Sequence, residues 1–408
     1  MSTQNRIQKL PRNVWVMTVT SFLTDISSEM LVNLIPLFLS NVLGVRTAVI
    51  GLIDGIAETT ASLVKILSGA LSDRLGKRKW LTVAGYSLST LAKPFLYFAS
   101  SWGGVLGVRF IDRVGKGIRT APRDALIADS IQQEQRGLAF GLHRAGDTAG
   151  AFVGLGTAAF IIWLTQAQTS LLSRATFQLI VLASVIPAVL AVLVLALGAV
   201  EKKAERKDGA SPREAAGNRW SFENMDRRFK AFLLVIILFT LGNSSDSFIL
   251  LRGQERGLSV LGVMGMALTF NLVYTLFAGP LGAWSDKVGR RRLILGGWLT
   301  YGLVYLGFAL ARAGWQVWAL FGLYGLYYAA TEGVAKALVA DLTPEAQRGT
   351  AYGWFNAVIG FTALPASLMA GVLWQGVGAW SGLGASAPFY FGACMALLAG
   401  LLFWKYVR

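Results

Sequence analysis

One cysteine, Cys394, and one histidine, His143, in 408 residues leave no material for a disulfide framework, a cysteine zinc site or a multi-histidine metal centre. Charge is scarce too. Asp, Glu, Lys and Arg make up 15% of the chain, where a soluble domain carries about 25%. Only ten prolines stand against 46 glycines, which argues against a chain of Pro-rich linkers and for helices packed closely through small residues. Gly115-Lys116-Gly117 lacks the spacing and the strand–helix setting of a phosphate-binding loop. No metal, cofactor or enzymatic centre is expected.

What the chain has in abundance is apolar length. Hydrophobic residues form 54% of it, and runs such as Leu293–Leu310 and Pro388–Trp404 approach the roughly 20 residues that cross a hydrocarbon core about 30 Å thick. Hydrophobicity predicts twelve transmembrane helices, near 14–41, 47–71, 80–100, 103–128, 138–164, 175–200, 229–250, 258–283, 292–311, 315–340, 350–375 and 387–405. The basic start, Met1–Arg12, leads into a stretch longer than a signal-peptide core and holding Asp25 and Glu29, so it is expected to remain as the first helix. Net charge is +16. The excess of Lys and Arg lies in the loops on the side of the N-terminus, which predicts cytoplasmic termini in a cell (inner) membrane rather than a nucleic-acid surface.

The polar stretch Glu201–Asp226 separates six apolar segments from six, giving expected domains at 1–200 and 229–408 with a cytoplasmic linker at 201–228. Internal repetition supports the division. Gly69-Ala-Leu-Ser-Asp73-Arg74-Leu-Gly76-Lys77-Arg78-Lys79 recurs in the second half as Gly282-Ala-Trp-Ser-Asp286-Lys287-Val-Gly289-Arg290-Arg291-Arg292. Ala125-Leu-Ile-Ala-Asp129 through Gln135-Arg136-Gly137 recurs as Ala337-Leu-Val-Ala-Asp341 through Gln347-Arg348-Gly349, at nearly the same separation along the chain. Two copies of one unit predict an all-α membrane protein of two pseudo-symmetric six-helix bundles.

The first repeated element resembles the signature between helices 2 and 3 of the major facilitator superfamily, and the resemblance extends over the chain in helix count, repeat and linker. It implies alternating access around a central cavity, a small-molecule substrate, and a monomer in the bilayer. It also implies a gating role for Gly69, Asp73, Arg74, Gly76, Lys77 and Arg78, for Gly282, Asp286, Gly289, Arg290 and Arg291, and at the cytoplasmic end for Arg123. Two departures stand out. Arg113 replaces a glycine of the usual fourth-helix pattern, and Asp147 stands where drug–proton antiporters carry a proline.

Charges at membrane depth cost several kcal/mol each, so they are expected to face the bundle interior. In the fourth helix Arg109, Asp112, Lys116, Arg119 and Arg123 step by three and four residues and share one face. Arg109, Asp112, Lys116 and Arg119 of that face, with Arg113 and with Arg144 and Asp147 of the fifth helix, are the expected substrate-binding groups, arginine being suited to carboxylate or phosphate. Ion pairing within the bundle is the competing role. Asp25 with Glu29, and Asp54 with Glu58, are i, i+4 pairs. Together with Asp246 they are the expected coupling sites, either sharing a proton or holding sodium through oxygen ligands. The function this predicts is secondary active transport of a small anionic or zwitterionic solute, coupled to protons. Drug or lipophile efflux by proton antiport is the alternative, and a non-transporting membrane sensor or assembly factor a third. No nucleic-acid partner is expected.

Overall fold

The computed structural model describes residues 10–75, 77–132, 135–201, 225–344 and 347–407, without the side chains of 73, 74, 136 and 137. These described residues are almost entirely helical and contain no strand. In chain order the helices are α1 (Arg12–Val32), α2 (Thr47–Leu75), α3 (Arg78–Ala92), α4 (Trp102–Asp129), α5 (Arg136–Gln166) and α6 (Arg174–Gly198). The seventh span is broken into α7a (Arg227–Gly242) and α7b (Ser247–Glu255). It is followed by α8 (Val260–Val288), α9 (Arg290–Leu310), α10 (Gly314–Asp341), α11 (Arg348–Gln375) and α12 (Ala387–Tyr406). Each of the twelve segments expected from hydrophobicity is occupied.

Nine of these spans are long and apolar enough to cross a membrane by length and composition. The other three are informative. The third loses its α-helical geometry at Lys93-Pro94 and finishes as a 3₁₀ turn, Lys93–Phe98, because proline lacks the amide the ladder needs. α4 carries the charge ladder, and α10 carries Glu332, Lys336 and a set of tyrosines. The ends of α2 and α8 run further than expected, so that Asp286 lies inside α8 and position 73 inside α2, not in the connecting loops. The turn itself falls at Gly289, whose φ of 95° suits glycine. Gly76 and the side chains of Asp73 and Arg74 lie outside the described residues.

By contact the chain divides into two compact units. Unit 1 holds residues 1–45, 56–204 and 259–268. Unit 2 holds 46–55, 205–258 and 269–408. The short segments 46–55 and 259–268 stand at equivalent places in the two sequence repeats.

Within unit 1 the helices meet through small residues. Gly146, Gly150 and Gly154 of α5 form a stripe against α1. A Cβ at Gly150 would run into the Phe22 carbonyl, and one at Gly154 would lie 2.5 Å from that of Ile26. α3 and α4 approach as closely, a Cβ at Gly115 falling 2.7 Å from the Gly85 carbonyl. In lipid, dispersion and close backbone approach hold helices together, since the solvent is as apolar as the side chains.

Within unit 2 an aromatic core takes that role. Phe239 stacks on Trp298 at 4.6 Å and Tyr301 on Tyr305 at 4.0 Å. Arg252 is wholly buried and donates to the carbonyls of Phe308 and Ala309 at 3.1 and 3.0 Å and to Ser386 Oγ at 2.9 Å, tying α7b to α9 and to the start of α12. The first turns of α2 join the same unit. Thr47 donates its amide to Gln375 Oε1 at 2.8 Å and its hydroxyl to the Gly371 carbonyl at 3.0 Å.

Candidate functional site: a charged cavity in unit 1

A cavity of about 240 Å³ opens in unit 1, and its polar wall comes from four helices. α1 contributes Asp25 and Glu29, α2 contributes Glu58, the end of the third span contributes Lys93, and α4 contributes Arg109, Asp112, Arg113, Lys116 and Arg119. The i, i+3, i+4 spacing aims the α4 side chains at one side, and Gly115 and Gly117 between them let α3 and α2 press against the helix, a Cβ at Gly117 coming 2.6 Å from Val64.

Five cations therefore face four carboxylates. Arg113 Nη1 lies 3.5 Å from Glu58 Oε1, and its Nε lies 3.9 Å from Asp112. Arg119 is buried with its guanidinium 4.2 Å from the centre of the Tyr86 ring, a cation–π contact, while its Nη1 has no hydrogen-bond acceptor among the described residues. Lys93, 5% exposed, donates to Ser27 Oγ at 2.6 Å and Ser28 Oγ at 3.2 Å. Glu29 accepts from Asn33 at 3.3 Å. The side chains of Asp25 and Lys116 have no hydrogen-bond or ion-pair partner among the described residues. The wall carries one more cation than carboxylate, and the Arg119 Nη1 lacks a hydrogen-bond acceptor among the described residues.

The expected site residues are thus partly assembled here and partly elsewhere. Asp25, Glu29, Glu58, Arg109, Asp112, Arg113, Lys116 and Arg119 meet around the cavity. Arg144 is exposed and Asp147 is not among the lining residues, with His143 Nδ1 at 3.6 Å from its Oδ2. Arg123 pairs with Asp124 at 2.9 Å and reaches Ser21 Oγ at 3.5 Å. Asp54 and Asp246 belong to unit 2. Asp54 is buried there and accepts from Ser245 Oγ at 2.8 Å, because Gly51 and Gly55 bring the first turns of α2 onto the backbone of α11. Lys93 joins the cavity although the sequence reading does not place it among the substrate-binding groups; its link to Ser27 and Ser28 is tertiary.

The two sequence repeats meet physically in each unit. In unit 1 Arg78 donates to the Ala125 carbonyl at 3.1 Å and pairs with Asp129. In unit 2 Arg290 donates to the Ala337 carbonyl at 2.9 Å and pairs with Asp341, while also reaching Asp286 at 3.5 Å. Arg78 and Arg290 are each the first residue of their helix, and Ala337 and Asp341 are the repeat counterparts of Ala125 and Asp129. Glu201, the first residue of the linker, caps the start of α3 by accepting from the amides of Arg78 at 2.8 Å and Lys79 at 3.0 Å. Arg291 donates to the Trp404 carbonyl, and Lys77 and Lys287 are exposed.

Among the described residues twelve helical spans carry a repeated arginine clamp and a charge-lined cavity, the organisation of a multi-pass membrane protein. The chain belongs to the Major Facilitator Superfamily, whose family model matches residues 17–277 and 248–408. It is 35% identical to an uncharacterised MFS-type transporter of Methanocaldococcus jannaschii over 97% of this chain and 95% of that protein. It is 25% identical to a multi-drug resistance efflux pump of Streptococcus pneumoniae over 80% of each. Among solved structures it is similar in fold to a nucleoside transporter (TM-score 0.81, 13% identity, 97% of this chain and 100% of that one). It is also similar in fold to a D-xylose–proton symporter (TM-score 0.76, 17% identity, 97% and 98%).

Proposed function

We propose that this protein is a secondary active transporter that moves a small anionic or zwitterionic solute across the cell (inner) membrane by alternating access, coupled to the proton gradient, with both termini cytoplasmic. The observation that carries the reading is the charge balance of the unit 1 cavity, five cations against four carboxylates. Arg113 and Lys116 are the primary anchors. A solute carboxylate takes the place of Glu58 beside Arg113, and the Glu58 side chain is already 53% accessible. Asp25 and Glu29, one helical turn apart on the same wall, are the coupling pair, sharing a proton that solute binding displaces or fixes. The halves 1–200 and 229–408 are the moving bodies, and Arg78 with Arg290 hold the cytoplasmic helix ends in one of the two states.

A second reading, drug efflux by proton antiport, is favoured by the similarity to the pneumococcal efflux pump. There the carboxylates would receive a lipophilic cation and the α4 cations would serve only as their partners. Purified protein in proteoliposomes with an imposed pH gradient separates the two. Uptake or extrusion of radiolabelled mono- and dicarboxylates supports the first. Gradient-driven movement of a lipophilic cation dye, with none of any acid, supports the second.

A further inference from the structure

The seventh span, Arg227–Glu255, is broken near its middle. α7a ends at Gly242, α7b starts at Ser247, and Asn243–Asp246 between them are not helical. Non-helical backbone within the membrane is tolerated only where protein buries it or a cavity is lined by it, and broken helices in transporters carry binding groups at the break. Asp246 occupies the N-cap of α7b but makes no capping bond. Ser245 Oγ accepts from the Ser247 amide instead, at 3.2 Å. The Asp246 carboxylate is turned toward α10, where Tyr324 donates to its Oδ1 at 3.1 Å and lies 3.2 Å from Asn243 Oδ1. Asn243 in turn donates to Tyr327 Oη at 3.4 Å.

Aromatic rings surround this carboxylate. Tyr324 and Tyr327 are buried, with ring centres 5.3 Å apart. Tyr328 stands edge-on to Tyr324 at 5.2 Å and perpendicular to Phe270 of α8 at 5.3 Å. Asp246, Tyr328 and Phe270 are half-buried, so the group presents a face rather than a sealed core. One carboxylate, an amide oxygen and ring faces are the chemistry that holds an organic ammonium. The carboxylate supplies the countercharge, the π-faces attract the cation, and the rings cover its methyl or methylene groups.

We infer that the break in the seventh span, Asp246 with Asn243, Tyr324, Tyr327, Tyr328 and Phe270, is a binding site for an organic ammonium group, so that the transported solute carries an amine. This rests on the transport reading and narrows it, from anionic or zwitterionic to zwitterionic. The site lies wholly within unit 2.

The test is thermal unfolding of the full chain in detergent, with choline chloride titrated against its neutral isostere 3,3-dimethyl-1-butanol and against sodium chloride at equal ionic strength. Choline is expected to raise the midpoint where the other two do not. Asp246→Asn and Tyr328→Leu are each expected to weaken the apparent affinity for choline at least tenfold, while Arg113→Gln leaves it unchanged. Tyr328→Leu keeps the carboxylate and removes only a half-buried ring, so the test survives a poorly folded Asp246 variant. Equal effects of choline and its isostere, or an effect of sodium that equals choline's and vanishes in Asp246→Asn, would overturn the inference. A choline response confined to wild type and Arg113→Gln, with no response to any carboxylate, would instead keep this site and overturn the acid-binding role of the unit 1 cavity.

Discussion

Arg78 and Asp129 form an ion pair that joins the two sequence repeats of the first half, and Arg290 with Asp341 forms its counterpart in the second. Each arginine also donates to the carbonyl one helical turn before its aspartate, Ala125 in one unit and Ala337 in the other. The same clamp at the same helix ends, built twice, is what ties the start of α3 to the end of α4 and the start of α9 to the end of α10. Partly exposed pairs of this kind are each worth below about 1 kcal/mol, so under the proposed gating role their loss should change rate more than stability.

Arg78→Gln and Arg290→Gln are therefore expected to leave the unfolding midpoint nearly unchanged while slowing transport several-fold at unaltered solute affinity. Flux and binding measured on the same preparations check this. The double exchange Arg78→Asp with Asp129→Arg is expected to recover part of the rate. Weakened binding with normal maximal flux would show that the clamp acts on the cavity instead.

Neutralising Arg113 removes one of the cations facing the cavity carboxylates. A charge-assisted hydrogen bond is worth about 1.5–3 kcal/mol, so Arg113→Gln is expected to weaken carboxylate binding roughly ten- to hundredfold. Glu58→Gln alone is expected to preserve or tighten binding, since it removes the carboxylate that competes for Arg113 at 3.5 Å. Isothermal titration of the two variants and the double variant tests the sign of each effect.

Asp25→Asn and Glu29→Gln are expected to abolish accumulation against a gradient while retaining exchange of solute for solute, because exchange needs no net proton movement. Counterflow and gradient-driven uptake in the same proteoliposomes distinguish these. If both variants still accumulate solute, the coupling group lies elsewhere, with Asp147 beside His143 next to be tested.

The α1–α5 contact gives a stability prediction with an internal control. A Cβ at Gly150 would run into the Phe22 carbonyl, whereas one at Gly156 would meet nothing within 4 Å. Gly150→Ala is expected to cost about 1–3 kcal/mol through overpacking, and Gly156→Ala essentially nothing. Thermal unfolding in detergent reads both.

Much of this was legible in the residues. The apolar periodicity places all twelve spans, and the three- and four-residue steps of α4 place Arg109, Asp112, Lys116 and Arg119 on one wall, with Arg123 at the next step paired with Asp124 instead, because both patterns are local consequences of helical geometry. What the sequence did not reveal is tertiary. Asp54 and Glu58 are neighbours on one helix face, yet Asp54 is bonded within unit 2 and Glu58 within unit 1, since the glycines at 51 and 55 let α2 press on α11. Lys93 reads as one more internal charge, and only the packing of α1 brings Ser27 and Ser28 to its ammonium. The break at Asn243–Asp246 follows Gly242 but carries no proline. It is held by Ser245 bonding to Asp54 and Ser367, and by Tyr324, contacts remote in sequence.

The most direct measurement is a thermal-shift comparison of wild type, Lys116→Ala and Arg113→Gln, in detergent, against a panel of small carboxylates, amino acids and lipophilic cations. At least one carboxylate-bearing compound is expected to stabilise the wild type and to stabilise neither variant. Stabilisation by lipophilic cations alone, or by an acid to the same extent in all three proteins, would contradict the acid-binding role of the cavity.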